Sequence, residues 1–156
     1  MRLTVVAIGQ RMPPWVTQAW TEYSRRFPRG FSPELKEVPA IKRSRNADIE
    51  SVRRREGEAL LLAVPDNTYV IALDEDGRQW TTRELSLQLQ EWMHEGRHVA
   101  FLVGGPDGLS SESLAQADFR WSLGRLTLPH PLVRIVLAEQ LYRAWTITQN
   151  HPYHRN

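Results

Sequence analysis

Three stretches of this sequence hold residues whose types and spacing could do chemistry. The segment His151-Pro152-Tyr153-His154-Arg155 places a phenol, two imidazoles and a guanidinium side by side. Such a set can stack on a nucleobase, hydrogen-bond its edge and hold a phosphate. The same composition suits a frayed terminus, and composition alone does not choose. Gly104-Gly105-Pro106-Asp107-Gly108 follows an apolar run and precedes a helical pattern, which is where α/β proteins bind ligands. Glycines there allow a close backbone approach or positive φ. The G-x-G-x-x-G spacing and the Gly-Lys-Ser/Thr ending of phosphate loops are both missing, and a structural tight turn explains the stretch equally well. Leu73-Asp74-Glu75-Asp76-Gly77 offers three carboxylates without EF-hand spacing, so it reads as a solvated acidic turn. The five histidines show no H-E-x-x-H spacing, and no metal is expected. No G-x-S-x-G elbow is present either.

Charge distribution adds a hint about partners. Residues 1–71 carry 12 Lys and Arg against 8 acids, residues 72–118 carry 3 against 9, and residues 125–156 carry 4 against 1. An acidic middle between basic ends fits a face that meets a polyanion, although chance patchiness gives the same pattern. The clusters Lys42-Arg43-Arg45 and Arg53-Arg54-Arg55 could contact phosphates or simply be solvated. The absence of Cys excludes disulfides and thiolate metal sites and fits a reducing compartment. The apolar start Leu3 to Ile8 is too short to span a membrane and lacks a signal-peptide cleavage pattern, so a cytoplasmic protein is expected.

The elements that must position these residues follow from periodicity. Leu3 to Ile8, Tyr69 to Asp74 and His98 to Val103 read as buried strands, with weaker ones near Leu35 to Val38 and Phe119 to Leu123. The Asp76-Gly77 pair reads as the turn that ends the second of these. Helices are expected after Pro14, after Asp48 with Ile49 and Val52 towards the core, after the capping-box pair Thr81 and Glu84, and after Ser110. A last helix runs from about Pro131 to Gln149. Its apolar residues form a sleeve around most of the circumference, as expected of a helix buried in the domain or covered by a second subunit. Alternating strands and helices predict an α/β fold, a mostly parallel sheet flanked by helices on both faces, within a single domain over 1–156.

Longer matches come from Leu123-Gly124-Arg125-Leu126-Thr127-Leu128-Pro129-His130, Val133-Arg134, Ala138 to Ala144 and Pro152-Tyr153-His154-Arg155. Together with Phe101 to Gly108, Leu73 to Arg78, Val6 to Gly9 and Asn46-Ala47-Asp48, they make the chain closely resemble the ribosomal RNA large subunit methyltransferase H family. That family belongs to the SPOUT class. The resemblance implies a C-terminal trefoil knot, here within residues 70–156, and a homodimer with the cofactor site near the subunit interface. It implies S-adenosylmethionine as cofactor, held by Leu73, Gly104, Leu123, Gly124, Arg125, Leu126, Thr127 and Leu128. It implies an active-site surface of Arg143, Tyr153, His154 and Arg155, and methylation of N3 of a pseudouridine in 23S ribosomal RNA within the ribosome or its large subunit. Two positions depart from the family's usual pattern: Gly124, where Ser is common, and Asn150, where Gly is common. Asn tolerates positive φ, so the tail is expected to keep its course. A non-catalytic RNA-binding protein would explain the tail but not the glycine and apolar turns at three strand ends. A nucleotide-binding enzyme would need the phosphate motifs that are missing.

Overall fold

The computed structural model describes residues 1–155. Its strands are β1 (Leu3–Ile8), β2 (Glu34–Val38), β3 (Thr68–Gln79), β4 (His98–Val103) and β5 (Phe119–Ser122). Its helices are α1 (Pro14–Ser24), α2 (Ile49–Ala63), α3 (Thr82–Glu95), α4 (Ser111–Gln116) and α5 (His130–Thr148), followed by a 3₁₀ turn at Pro152–His154. The strands form one sheet in the order β2-β1-β4-β3-β5, with every neighbouring pair parallel.

An uninterrupted apolar run needs cover on both faces of the sheet. In β1, Leu3, Val5 and Ala7 join one core while Val6 and Ile8 join another, as the two-residue period of a strand requires. β4 divides the same way, with Phe101 on the first face and Leu102 on the second. The first face is covered by α1, α3 and α5 through Trp20, Leu89, Trp92, Leu137 and Leu141. The second is covered by α2 and α4 through Leu60 and Leu114. Local signals set the helix starts. Asp48 accepts a bond from the Glu50 amide at 3.1 Å, and Thr81 and Glu84 close a reciprocal capping box. Ser110 accepts from the Ser113 amide at 3.1 Å.

Two expectations fail. β3 does not end at Asp74 but continues to Gln79. Leu73 and Arg78 both register with Trp121, so residues 74–77 are looped out of the ladder rather than turning the chain away. Gly77 is required there because a Cβ would lie 2.7 Å from the Arg120 carbonyl carbon. Ile49, expected in the core, is 40% exposed at the start of α2. Among the described residues, no helix is long and apolar enough to cross a membrane.

One buried cation fixes α5 to the sheet. Arg134 is 1% exposed, and its Nη2 donates to the carbonyls of Ile8 (3.1 Å) and Gly9 (2.7 Å) at the end of β1. Its Nη1 donates to Glu37 Oε2 at 2.6 Å. Those acceptors replace the water of its two terminal nitrogens, while its Nε stays buried without a partner. Arg134→Met keeps the volume but leaves the acceptors unmatched, so it is expected to lower stability by about 2–3 kcal/mol in urea unfolding.

Candidate functional site

Parallel strands bring their carboxyl ends to one rim, and the sheet order sets β4, β3 and β5 side by side there. A cavity of about 440 Å³ opens at this rim, within the usual range for small-molecule sites. One part of its wall is apolar, formed by Leu73, Val103, Trp121, Leu123, Leu128 and Val133, and another is polar, formed by Asp74, Glu75, Asp76 and Ser122. Gly104, Gly124 and Leu126 complete the part that the sequence comparison anticipated. Arg125 and Thr127 are exposed on the same loop and do not line the cavity.

The glycine turn separates the two reasons for lacking a side chain. A Cβ on Gly104 would lie 2.7 Å from the Gly108 carbonyl carbon, whereas Gly108 has open space but φ +78°. The first needs close approach and the second needs the left-handed region. The turn is held from outside by ions. Glu56, 2% exposed, receives both terminal nitrogens of Arg43 at 3.0 Å and the Ile41 amide at 3.1 Å. Arg43 Nε then donates to Asp107 Oδ2 at 2.6 Å. Arg43, read from sequence as a possible phosphate contact, is therefore engaged in holding this turn. Arg53, from the second basic cluster, lines the cavity, as do Asp107 and His130. Sequence reasoning missed all three as site residues. The signals present were the acid set between glycines and the His at the head of α5.

The expected active-site tail lies elsewhere on the same chain. After α5, Asn150 takes φ +55°, the conformation anticipated for a residue replacing Gly. The chain then folds back rather than fraying. Tyr153 Oη donates to Glu139 Oε2 at 2.8 Å, which also receives Arg143 Nη2 at 2.7 Å. The Arg143 guanidinium sits 4.9 Å from the Tyr153 ring centre, and Tyr142 packs edge-on against that ring at 4.8 Å. Burial, then the bond to Glu139, pushes the Tyr153 hydroxyl up to about 12. His154 Nδ1 lies 3.3 Å from Thr146 Oγ1, and the Arg155 amide donates to the Pro152 carbonyl at 3.2 Å. None of Arg143, Tyr153, His154 and Arg155 lines the rim cavity. Val133 lines it, and Arg143 is roughly 15 Å further along α5 at the usual helical rise.

The family model described as "Predicted SPOUT methyltransferase" matches residues 1–154. Two proteins named ribosomal RNA large subunit methyltransferase H are similar over nearly their whole length. One, from Thioalkalivibrio sulfidiphilus, is 53% identical over 155 residues, covering 99% of each chain. The other, from a Marinomonas species, is 50% identical, covering 99% of this chain and 100% of its own. This chain belongs to the ribosomal RNA large subunit methyltransferase H family of SPOUT methyltransferases.

Solved structures agree on the fold. A probable methylase family protein from Haemophilus influenzae superposes with a TM-score of 0.58 at 13% identity, covering 99% of this chain and 70% of its own. A putative methylase family protein from Neisseria gonorrhoeae gives 0.50 at 13% identity, covering 90% and 81%. In this methyltransferase the rim cavity is the strand-end cleft where α/β folds place ligands.

His130 gives the cavity a pH-sensitive edge. Its Nδ1 is buried without a hydrogen-bond partner. Burial, helped by the charges of Arg134 and Arg43, pushes its pKa below the ordinary imidazole value. Between that value and the lower folded one, the unfolded chain binds a proton that the folded chain refuses, so stability falls as pH falls through the window. His130→Asn is expected to flatten the fall in unfolding free energy between about pH 7 and pH 5, measured by urea titrations across pH.

Proposed function

We propose that this methyltransferase transfers a methyl group from S-adenosylmethionine to N3 of a pseudouridine in 23S ribosomal RNA, presented in the ribosome or its large subunit. The names of the full-length relatives support the substrate class. The observation that carries the cofactor reading is the rim cavity, whose wall includes Leu73, Gly104, Leu123, Gly124, Leu126 and Leu128. Aliphatic side chains there suit the faces of an adenine, and the close-packed backbone at Gly104 suits its edge. When bound, the cofactor supplies a methyl group on a positively charged sulfur. The trefoil knot within residues 70–156 and the single domain over 1–156 belong to the same reading.

N3 is an imide nitrogen and must lose its proton before it can take a methyl group. Tyr153 does not take it, since its hydroxyl is held protonated as a donor to Glu139. His154 is the better acceptor. The Thr146 hydroxyl has one proton and donates it to the Arg143 carbonyl at 2.6 Å. At His154 Nδ1 (3.3 Å) it therefore accepts, which keeps the ring proton on Nδ1 and leaves Nε2 as the base. Arg143 shares its charge with Glu139. The Arg155 side chain makes no ion pair among the described residues, which leaves its guanidinium available to stabilise the imide anion. Tyr153 presents a ring for the base to stack on.

The separation of tail and cavity along α5 favours a homodimer in which one protomer's tail meets its partner's cavity. The outward side of α5 supports this, because Leu132, Ile135, Val136 and Ile147 stay partly exposed there and complete the apolar sleeve seen in the sequence.

The function is tested with ribosomes from cells lacking this protein. Mass spectrometry should show one pseudouridine gaining a methyl group on addition of enzyme and cofactor, and no gain would sink the reading. In the same assay at saturating cofactor, His154→Ala is expected to slow transfer by about a hundredfold or more. Thr146→Val should slow it by a smaller factor without weakening cofactor binding. The dimer is tested by mixing two inactive variants, Gly104→Ala and His154→Ala. Mixed dimers should regain activity because one intact cavity meets one intact tail. No recovery would place both halves of the site in one chain.

A further inference from the structure

The charges around the rim cavity are unevenly placed. Asp74, Glu75 and Asp76 line it where β3 is looped out, while Arg53 and Asp107 line it from α2 and the glycine turn. Arg53 is the one permanent cation among the described lining residues, and its donors are poorly used. Its Nε is buried without a partner, and its Nη1 reaches the Asp107 carbonyl only at 3.4 Å. Its Nη2 pairs with Glu50, whose side chain is 73% exposed. An exposed pair of that kind contributes little and is readily exchanged for a carboxylate that binds the fork better. Asp107 complements it. Arg43, itself locked to the buried Glu56, holds Asp107 Oδ2 at 2.6 Å. Asp107 Oδ1 makes no hydrogen bond among the described residues. A guanidinium that reaches the Asp107 backbone and a carboxylate held by Arg43 thus line the same cavity, matching a ligand group that carries both charges on one carbon.

Resting on the reading of this cavity as the S-adenosylmethionine site, we propose that Arg53 and Asp107 hold the cofactor's amino-acid end, Arg53 its α-carboxylate and Asp107 its α-ammonium group. The acids at 74–76 repel a carboxylate, which leaves the Arg53 side as the end where that group can lie. The Arg43–Glu56 pair acts one step back, as a positioning device that aims Asp107.

The test is calorimetry on the full chain with S-adenosylhomocysteine and two analogues, one lacking the carboxylate and one lacking the amine. The unaltered protein should bind the parent compound about tenfold more tightly than either analogue. In Arg53→Gln the advantage over the decarboxylated analogue should collapse to near unity, with affinity for that analogue kept within about twofold of its original value. Asp107→Asn should do the same for the deaminated analogue, and Arg53→Lys should restore part of the carboxylate preference. Equal losses for parent and analogue would make these residues structural and overturn the inference. So would an unaltered protein that does not distinguish the three ligands, a result that needs no variant to fold. Failure of the unaltered protein to bind any of them would instead defeat the cofactor reading itself, and this inference with it.

Discussion

The site depends on one buried cation. Arg134 ties the head of α5 to the last carbonyls of β1 and to Glu37. With this end of α5 fixed, His130 and Val133 fall against the rim cavity. Glu139, Arg143 and Thr146 then fall where the tail docks. A single helix thus sets two chemically different surfaces at a fixed spacing. The cost of burying a charge is offset by acceptors whose positions the parallel sheet already determines.

Those two surfaces differ in chemistry. The cavity sets aliphatic side chains beside charged ones, suited to a small molecule that carries both kinds of surface. The tail is polar and aromatic, suited to a base and its phosphate. Arg43, Glu56 and Asp107 brace the glycine turn, while Glu139 gathers Arg143 and Tyr153. Under the proposed reaction, the methyl group and its acceptor meet only if the two surfaces are brought together, and the partly exposed apolar side of α5 would offer a contact for that.

Much of the fold was legible because it follows local rules. The alternating cores of β1 and β4, the caps at Asp48, Thr81 and Ser110, and the positive φ at Asn150 are each set within a few residues. The misreading at Asp76-Gly77 came from the same habit. The pair has turn chemistry, yet pairing with β5, more than forty residues later in the chain, keeps β3 going to Gln79. The site was legible chiefly through resemblance, since Leu73, Gly104 and Leu123 show no catalytic side chain. Arg53, Asp107 and His130 stayed hidden because their meaning arises across long sequence separations, as in the Arg43–Asp107 pair. Nothing local distinguishes Arg43, which braces the turn, from Arg45, which is exposed.

The strand order also governs when the molecule can fold. β1 lies inside the sheet, next to the β2 edge, and its register partner on the other side is β4, with Leu3 opposite Val99. Until the chain has been made as far as Val103, the first strand has β2 on one edge and nothing on the other, and its first face still lacks α5. Non-local parallel pairing of this kind is slow, because loop closure must precede the contacts that reward it. The nascent chain therefore carries an adhesive open edge for most of its synthesis. The residues from α5 onward seal the first face and complete both the rim cavity and the tail surface, so a chain cut before α5 would have neither.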